Sequence, residues 1–225
     1  MTPYYQDDQV TIYHGDCREI DVWLEADVLV GDPPYGRRWR QSQIGTHALN
    51  DSSAGIANDA DTAVRDAVLS MWGDRPAILF GDLMLPPPAG NKLTCIYHKA
   101  DGSSGLRGAM GGVRRDCEAI YLVGKWPSGL GGRSSLFTTH FQIGGAAGVV
   151  ASNGGHPHTK PRDVMTQLVD LTRGVITDPF MGSGSTLRAA KDLGRKAIGV
   201  EVDERYCEIA AKRMGQEVLM FDGAA

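Results

Sequence analysis

Asp32-Pro33-Pro34-Tyr35 puts a carboxylate, a stiff carbonyl and an aromatic ring within four residues. Two successive prolines fix φ and carry no N–H, so the Pro33 carbonyl projects as a rigid acceptor beside Asp32. Two adjacent acceptors can grip an amino group through both of its hydrogens, and Tyr35 offers a flat face on which a base can stack. Taken alone, the tetrapeptide also fits a strand-end turn in which Asp32 caps the chain and Tyr35 packs inward. A second segment, Asp178-Pro-Phe-Met-Gly-Ser-Gly-Ser-Thr186, has the form of a nucleotide-binding turn. Gly182 and Gly184 let the backbone turn tightly and approach a ligand that a Cβ would exclude. Glu201 follows Gly182 by 19 residues, a separation at which a carboxylate can accept hydrogen bonds from both hydroxyls of a ribose. No Gly-Lys-Ser/Thr follows, so this is not a P-loop, and Leu187 and Arg188 stand where a dinucleotide fingerprint needs its third glycine. The plainer alternative is an ordinary strand-to-helix turn with Glu201 on the surface.

Both segments need rigid elements behind them. Short apolar runs at Ala26 to Gly31, Ala77 to Phe80, Leu93 to Tyr97, Ala119 to Val123, Val175 to Thr177 and Ala197 to Val200 predict buried strands. Helical periodicity runs over Thr62 to Trp72, with Val64, Ala67, Val68 and Met71 as one stripe, and over Pro161 to Thr172. Ser185 to Leu193 carries Leu187, Ala190 and Leu193 on one face and stops at Gly194; Asp203 can cap a last helix bearing Tyr206, Ile209, Ala210 and Met214. Alternating strands and helices predict an α/β fold, a mostly parallel sheet with helices on both faces. No repeat of fixed period and no clear linker divides the chain.

At 225 residues the chain is long enough for one sizeable core and short for two enzymatic domains. Its 42% hydrophobic and 22% charged residues exclude disorder, and no 18-residue apolar run suggests a membrane span. Met1 to Asp8 has neither a basic patch nor an apolar stretch, so export is not expected. Cys17, Cys95, Cys117 and Cys207 form no C-x-x-C pair, which points to reduced thiols in a cytoplasm. His98, His140, His156 and His158 lack metal-ligand spacing, so no metal is expected. The net charge of −4 hides a division: residues 1 to 91 carry −8, residues 92 to 162 carry +6 and residues 163 to 225 carry −2. The basic third also holds 14 of the 29 glycines, between residues 102 and 155, and should be largely loop. Basic loops suit a polyanion; a solvated insertion whose cations only aid solubility is the alternative.

In combination, Asp-Pro-Pro-Tyr after one strand and Asp-Pro-Phe-x-Gly-Ser-Gly-Ser-Thr after another closely resemble the S-adenosylmethionine-dependent DNA amino-methyltransferases, which modify adenine N6 or cytosine N4. The tetrapeptide precedes the glycine turn by 146 residues (178 minus 32), an order similar to the permuted beta class. His156-Pro-His-Thr-Lys-Pro161 before a helix, Gly199-Val-Glu-Val-Asp203 and His14-Gly-Asp-Cys17 resemble further cofactor-pocket segments of that family. The resemblance implies a Rossmann-like methyltransferase fold, one domain over 1–225, a mobile substrate loop over 36–60 and a target-reading insertion over 101–155. It implies that Asp32 and the carbonyl of Pro33, with Pro34 behind them, hold the target amine while Tyr35 stacks on the extruded base. Asp16, Cys17, Asp32, Lys160, Asp178, Phe180, Gly182, Gly184, Ser185, Thr186 and Glu201 would line S-adenosylmethionine. The family offers Asp or Ser before Pro-Pro-Tyr, and Asp32 favours adenine N6, with cytosine N4, RNA adenine and a non-catalytic DNA binder as rivals. Protein glutamine methyltransferases differ, carrying Asn-Pro-Pro-Tyr after their glycine turn.

The implied partner is DNA. Arg37, Arg38 and Arg40, flanking Trp39, are placed to meet phosphates, and Arg107, Arg114, Arg115, Lys125 and Arg133 are available for the target. So short a reading region suggests a brief target sequence, or a homodimer whose second subunit contributes contacts. A prokaryotic or phage-type cytoplasm, with a restriction-modification or orphan role, is the setting the resemblance implies.

Overall fold

The computed structural model describes residues 1–38, 57–99, 110–113, 115–128, 132–139 and 159–216. Among these, nine strands form one sheet: β1 (Tyr5–Gln6), β2 (Val10–His14), β3 (Val28–Gly31), β4 (Ala77–Gly81), β5 (Asn91–His98), β6 (Cys117–Val123), β7 (Leu136–Thr138), β8 (Ile176–Asp178) and β9 (Ala197–Glu201). The helices are α1 (Ala63–Trp72), α2 (Arg162–Asp170), α3 (Ser185–Asp192) and α4 (Glu204–Met214), with one 3-10 turn at Val22–Glu25. The strand order is β1-β2-β9-β8-β3-β4-β6-β5-β7. β6 runs antiparallel to both β4 and β5, and β1 antiparallel to β2; every other pairing is parallel.

Alternation along the strands fills two layers, as the two faces of a pleat require. On β3, Val28 and Val30 face the layer of α2, α3 and α4, while Leu29 faces α1 and the 3-10 turn; Ile78 and Phe80 on β4 repeat this against Leu79. Val164, Met165, Leu168, Leu187, Ala190, Cys207, Ala210 and Met214 complete the first layer. In the second, Trp23 and Trp72 stack with ring centroids 5.8 Å apart, both buried. This is the Rossmann-like arrangement, helices on both faces of a largely parallel sheet.

Some expectations change in detail. Trp72, not Met71, completes the α1 stripe with Val64 and Val68, and Met71 is exposed. Leu193 lies beyond the end of α3 and is likewise exposed. Leu93 to Tyr97 is a strand but not a fully buried one, since Lys92, Leu93 and Thr94 face outward before Cys95 and Tyr97 turn in. Asp203 caps α4 as expected, accepting the Arg205 N–H. The short β7 arises inside the glycine-rich third, pairing with the last residues of β5. Residues 39–56 and most of 101–155 lie outside the described residues, and with them Arg40, Arg107, Arg114, His140, His156 and His158.

The chain leaves β3 toward β4 on one side, whereas β8 continues to β9 on the other. The sheet therefore has its switch point between β3 and β8, where the connections diverge and leave a crevice beyond the strand ends.

Candidate active site

Asp32 follows the end of β3, Asp178 ends β8 and Glu201 ends β9. Parallel pairing brings these strand ends to one rim, with Leu29 beside Thr177 and Asp178 beside Gly199. Gly31 makes the approach of β3 and β8 possible: a Cβ there would lie 3.0 Å from Asp178 Oδ1 and 3.5 Å from the Phe180 ring. The two acids that the sequence separates widely thus flank the switch point.

Asp32 is held from two sides. Its Oδ1 accepts the Tyr35 hydroxyl at 2.7 Å, and its Oδ2 lies 2.9 Å from Lys160 Nζ. Lys160 Nζ also lies 3.0 Å from Glu118 Oε2, donates to the Tyr35 oxygen at 3.1 Å and sits 4.8 Å over the Phe80 ring. Glu118 Oε1 in turn lies 2.5 Å from Lys99 Nζ. Burial alone would push the Glu118 carboxyl up, but the Lys160 and Lys99 ammoniums outweigh it and hold the group at about 2. Burial pulls the Lys160 ammonium down, and Asp32 and Glu118 more than reverse this, keeping it charged. Burial, with the two carboxylates, drives the Tyr35 hydroxyl well above its ordinary range, so it remains a donor.

Lys160, placed by sequence among the cofactor contacts, is therefore a partner of the tetrapeptide. Glu118 is absent from every motif; the available signal was a lone acid in the otherwise apolar strand Cys117–Val123. Asp59 was missed too. It is buried, accepts the N–H groups of Gly36 at 2.8 Å and Arg37 at 3.2 Å, and fixes the chain just after Tyr35. Gly36 adopts φ +79° against the backbone of Asp61, a turn that only glycine takes readily. Tyr35 and Gly36 line a cleft of about 280 Å³ with Asp61, Thr62, Leu85 and Pro86.

At the glycine turn Gly182 and Gly184 take φ +50° and +80°. The Gly182 N–H donates to Glu201 Oε2 and the Asp203 N–H to Glu201 Oε1, each at 2.9 Å, so the turn and the end of β9 share one carboxylate. Burial raises the Glu201 carboxyl, and those backbone donors pull it part of the way back. Each Glu201 oxygen keeps a second lone pair for another donor. Gly184 has a second use besides the turn: a Cβ there would lie 3.0 Å from Ala210 Cβ, so its bareness admits α4.

Several other residues expected at the cofactor also hold the structure around them. Asp178 is buried, accepting the Phe180 N–H at 3.0 Å and the Thr186 hydroxyl at 2.5 Å. Burial outweighs these donors and pushes its carboxyl up to about 7. Ser185 accepts from Arg213 at 3.1 Å, turning toward α4. Asp16 and Cys17 follow β2, whose His14 pairs with Glu201. Asp16 binds Arg18, while Cys17 is buried and its carbonyl accepts the Trp23 indole N–H at 2.8 Å. Phe180 is half-buried against the α1 layer.

The basic residues divide by position. Arg37 and Arg115 reach the rim, both toward Asp82, at 2.6 Å and 3.4 Å. Arg38, with φ +51°, is exposed next to Arg37 in sequence and donates its N–H to the Asp59 carbonyl. Lys125 follows the end of the reversed strand β6 and pairs with Asp74, which precedes β4, so it stands at the opposite edge from Asp32. Arg133 pairs with Asp170 at the end of α2. Lys125 thus lies away from the Asp32 rim, because a reversed strand carries its end to the other edge.

A family model described as DNA methylase matches residues 90–212. A type II methyltransferase, M2.LlaDCHI of Lactococcus lactis subsp. cremoris, is 39% identical over 66 residues, 28% of this chain and 24% of that protein. M.HindIII of Haemophilus influenzae is 43% identical over 67 residues, 28% of this chain and 22% of that protein. The matched segments span about a quarter of the length of these curated relatives. Among solved structures, M1.HpyAVI in complex with SAM has a TM-score of 0.63 at 18% identity, covering 92% of this chain and 100% of that one. With the fold matched over its length and the family model covering more than half of its residues, the chain belongs to the DNA methylase family.

Proposed function

We propose that the protein transfers a methyl group from S-adenosylmethionine to the exocyclic amine of a base flipped out of DNA, adenine N6 being the favoured target. The observation that carries the reading is the meeting, at the switch point, of Asp32 with the turn that Glu201 organises. The residues fit the cofactor: Glu201 has fixed oxygens with lone pairs to spare for ribose hydroxyls, and Gly182 presents backbone without a Cβ. Asp16, Phe180 and the segment after β2 border the same rim. When bound, the cofactor supplies a sulfonium methyl, already a strong electrophile.

The remaining work falls on the amine, whose lone pair is delocalised into the ring. Asp32 and the Pro33 carbonyl accept its two hydrogens, which lets the nitrogen pyramidalise and direct its lone pair outward. Hydrogen bonds to a charged acceptor contribute roughly 1.5 to 3 kcal/mol, and alignment contributes more. Flipping costs a few kcal/mol, and stacking on an aromatic ring, worth about 1 to 3 kcal/mol per base, offsets much of it. Tyr35 suits that role because its hydroxyl is tied down, which fixes its ring beside the cleft. Asp before Pro-Pro-Tyr favours adenine N6 by resemblance, and cytosine N4 is the nearest rival.

The test is nucleoside mass spectrometry on DNA incubated with the protein and isotopically labelled cofactor. N6-methyladenine is expected; N4-methylcytosine would move the target, and no labelled nucleoside would sink the reading. Asp32→Ala should abolish transfer while cofactor affinity stays within a few-fold.

A further inference from the structure

We infer that Glu118 is a positioning residue for methyl transfer, acting through Lys160 and Tyr35 to keep Asp32 both aligned and available as a charged acceptor. The inference rests on the role proposed above for Asp32. Glu118 Oε2 lies 3.0 Å from Lys160 Nζ and 3.3 Å from the Tyr35 oxygen, the same two groups that hold Asp32. Two carboxylates thus straddle one ammonium and one hydroxyl. The site is sheltered: the side chains of Lys160 and Glu118 are 12% and 16% exposed.

Such a setting makes the distribution of charge matter. A buried lysine paired with Asp32 alone would neutralise it in a medium where opposite charges interact strongly, and the target amine would meet a spent acceptor. Glu118 draws part of the ammonium's field to itself. Lys99, lying 2.5 Å from the far oxygen of Glu118, completes the set, so that the formal charges of Asp32, Glu118, Lys160 and Lys99 cancel. Glu118 can serve as an anchor because its backbone is fixed: it pairs with Tyr97 of β5, and its neighbour Ala119 pairs with Gly81 of β4. Lys160, by contrast, comes from the segment leading into α2 and needs such an anchor to hold its ammonium in place.

The experiment is steady-state methylation with Glu118→Gln, Lys160→Met and the double variant, alongside calorimetry with S-adenosylmethionine. Glu118→Gln should lower kcat at least ten-fold, with KM for DNA and cofactor affinity within about three-fold of wild type. In the Lys160→Met background the same change should cost less than three-fold, since its main route to Asp32 is gone and only the longer Tyr35 contact is left. Glu118→Asp, which keeps the charge on a shorter arm, should recover part of kcat. A kcat for Glu118→Gln within two-fold of wild type, or an equal loss in both backgrounds, overturns the role. Should Glu118→Gln not fold, Glu118→Asp decides by itself: a several-fold lower kcat at unchanged KM supports the role, and wild-type kcat overturns it. A wild-type protein that binds cofactor but methylates no DNA overturns the proposed function, and the role of Glu118 with it.

Discussion

Lys160 Nζ lies 2.9 Å from Asp32 Oδ2, and the lysine side chain is only 12% exposed. The acid of the tetrapeptide is thus held by a cation that must itself be kept buried and charged, which its two carboxylate neighbours accomplish. Lys160→Met would leave Asp32 and Glu118 facing each other without it. Removing one partner of a buried ion pair costs about 3 to 5 kcal/mol, so denaturant unfolding at pH 7 should show a loss of about that size. The pH dependence should also weaken. In wild type the Glu118 carboxyl is held below its unfolded value, so its contribution is present above about pH 4.5 and lost as the pH falls toward about 2. In Lys160→Met only Lys99 is left beside Glu118, so this loss toward acid should be smaller than in wild type.

Asp178 has the opposite sign. Its folded value of about 7 stands above the unfolded 3.8, so its contribution is fully present below about pH 3.8 and lost as the pH rises through about 7. Relative to Asp178→Asn, wild type should lose up to about 4 kcal/mol between pH 4 and pH 8. Unfolding curves for the two proteins at both values check this, and parallel pH profiles would contradict it.

Glu201 is proposed to hold the ribose, and it already holds the Gly182 and Asp203 N–H groups. Glu201→Ala should weaken S-adenosylmethionine binding by roughly 1 to 3 kcal/mol. Glu201→Gln keeps one acceptor oxygen and should lose less. Calorimetry with both variants tests the assignment, and equal affinities to wild type would place the ribose elsewhere.

Arg37 and Arg115 share Asp82 at the rim, whereas Lys125 stands at the opposite edge. If the rim faces duplex DNA, replacing both arginines by Ala should flatten the plot of log affinity against log salt by up to about two units, at roughly 0.9 per phosphate. Lys125→Ala should leave the slope unchanged. Asp82→Asn removes a competing carboxylate and should tighten binding. Titrations by fluorescence anisotropy at several salt concentrations separate the three.

The residues most legible in sequence are those whose role is local. Gly182, Asp203 and the apolar runs of β3, β4 and β9 follow from turn geometry, capping and period, each settled within a few residues. Glu118, Asp59 and Asp82 were not legible, because what each one holds is brought near only by strand pairing or by the path of the chain. β2 escaped notice because Val10-Thr-Ile-Tyr-His14 is short and half polar; its place beside β9 makes it a strand. Gly184 was read correctly as a turn residue, yet its close neighbour is Ala210, a helix-packing partner that no spacing reveals.

The reversal of β6 also bears on how such a protein can change over evolutionary time. β5 ends and β6 begins at the rim that carries Asp32, so the connection between them, from Lys99 to Asp116, is fastened there at both ends. Changes in that connection that keep Lys99 leave the anchoring Glu118 where the strand ladder puts it. If that connection reads the target as its resemblance implies, target preference could drift by remodelling one border of the molecule while the sheet beneath keeps Asp32, Glu118 and Glu201 in place.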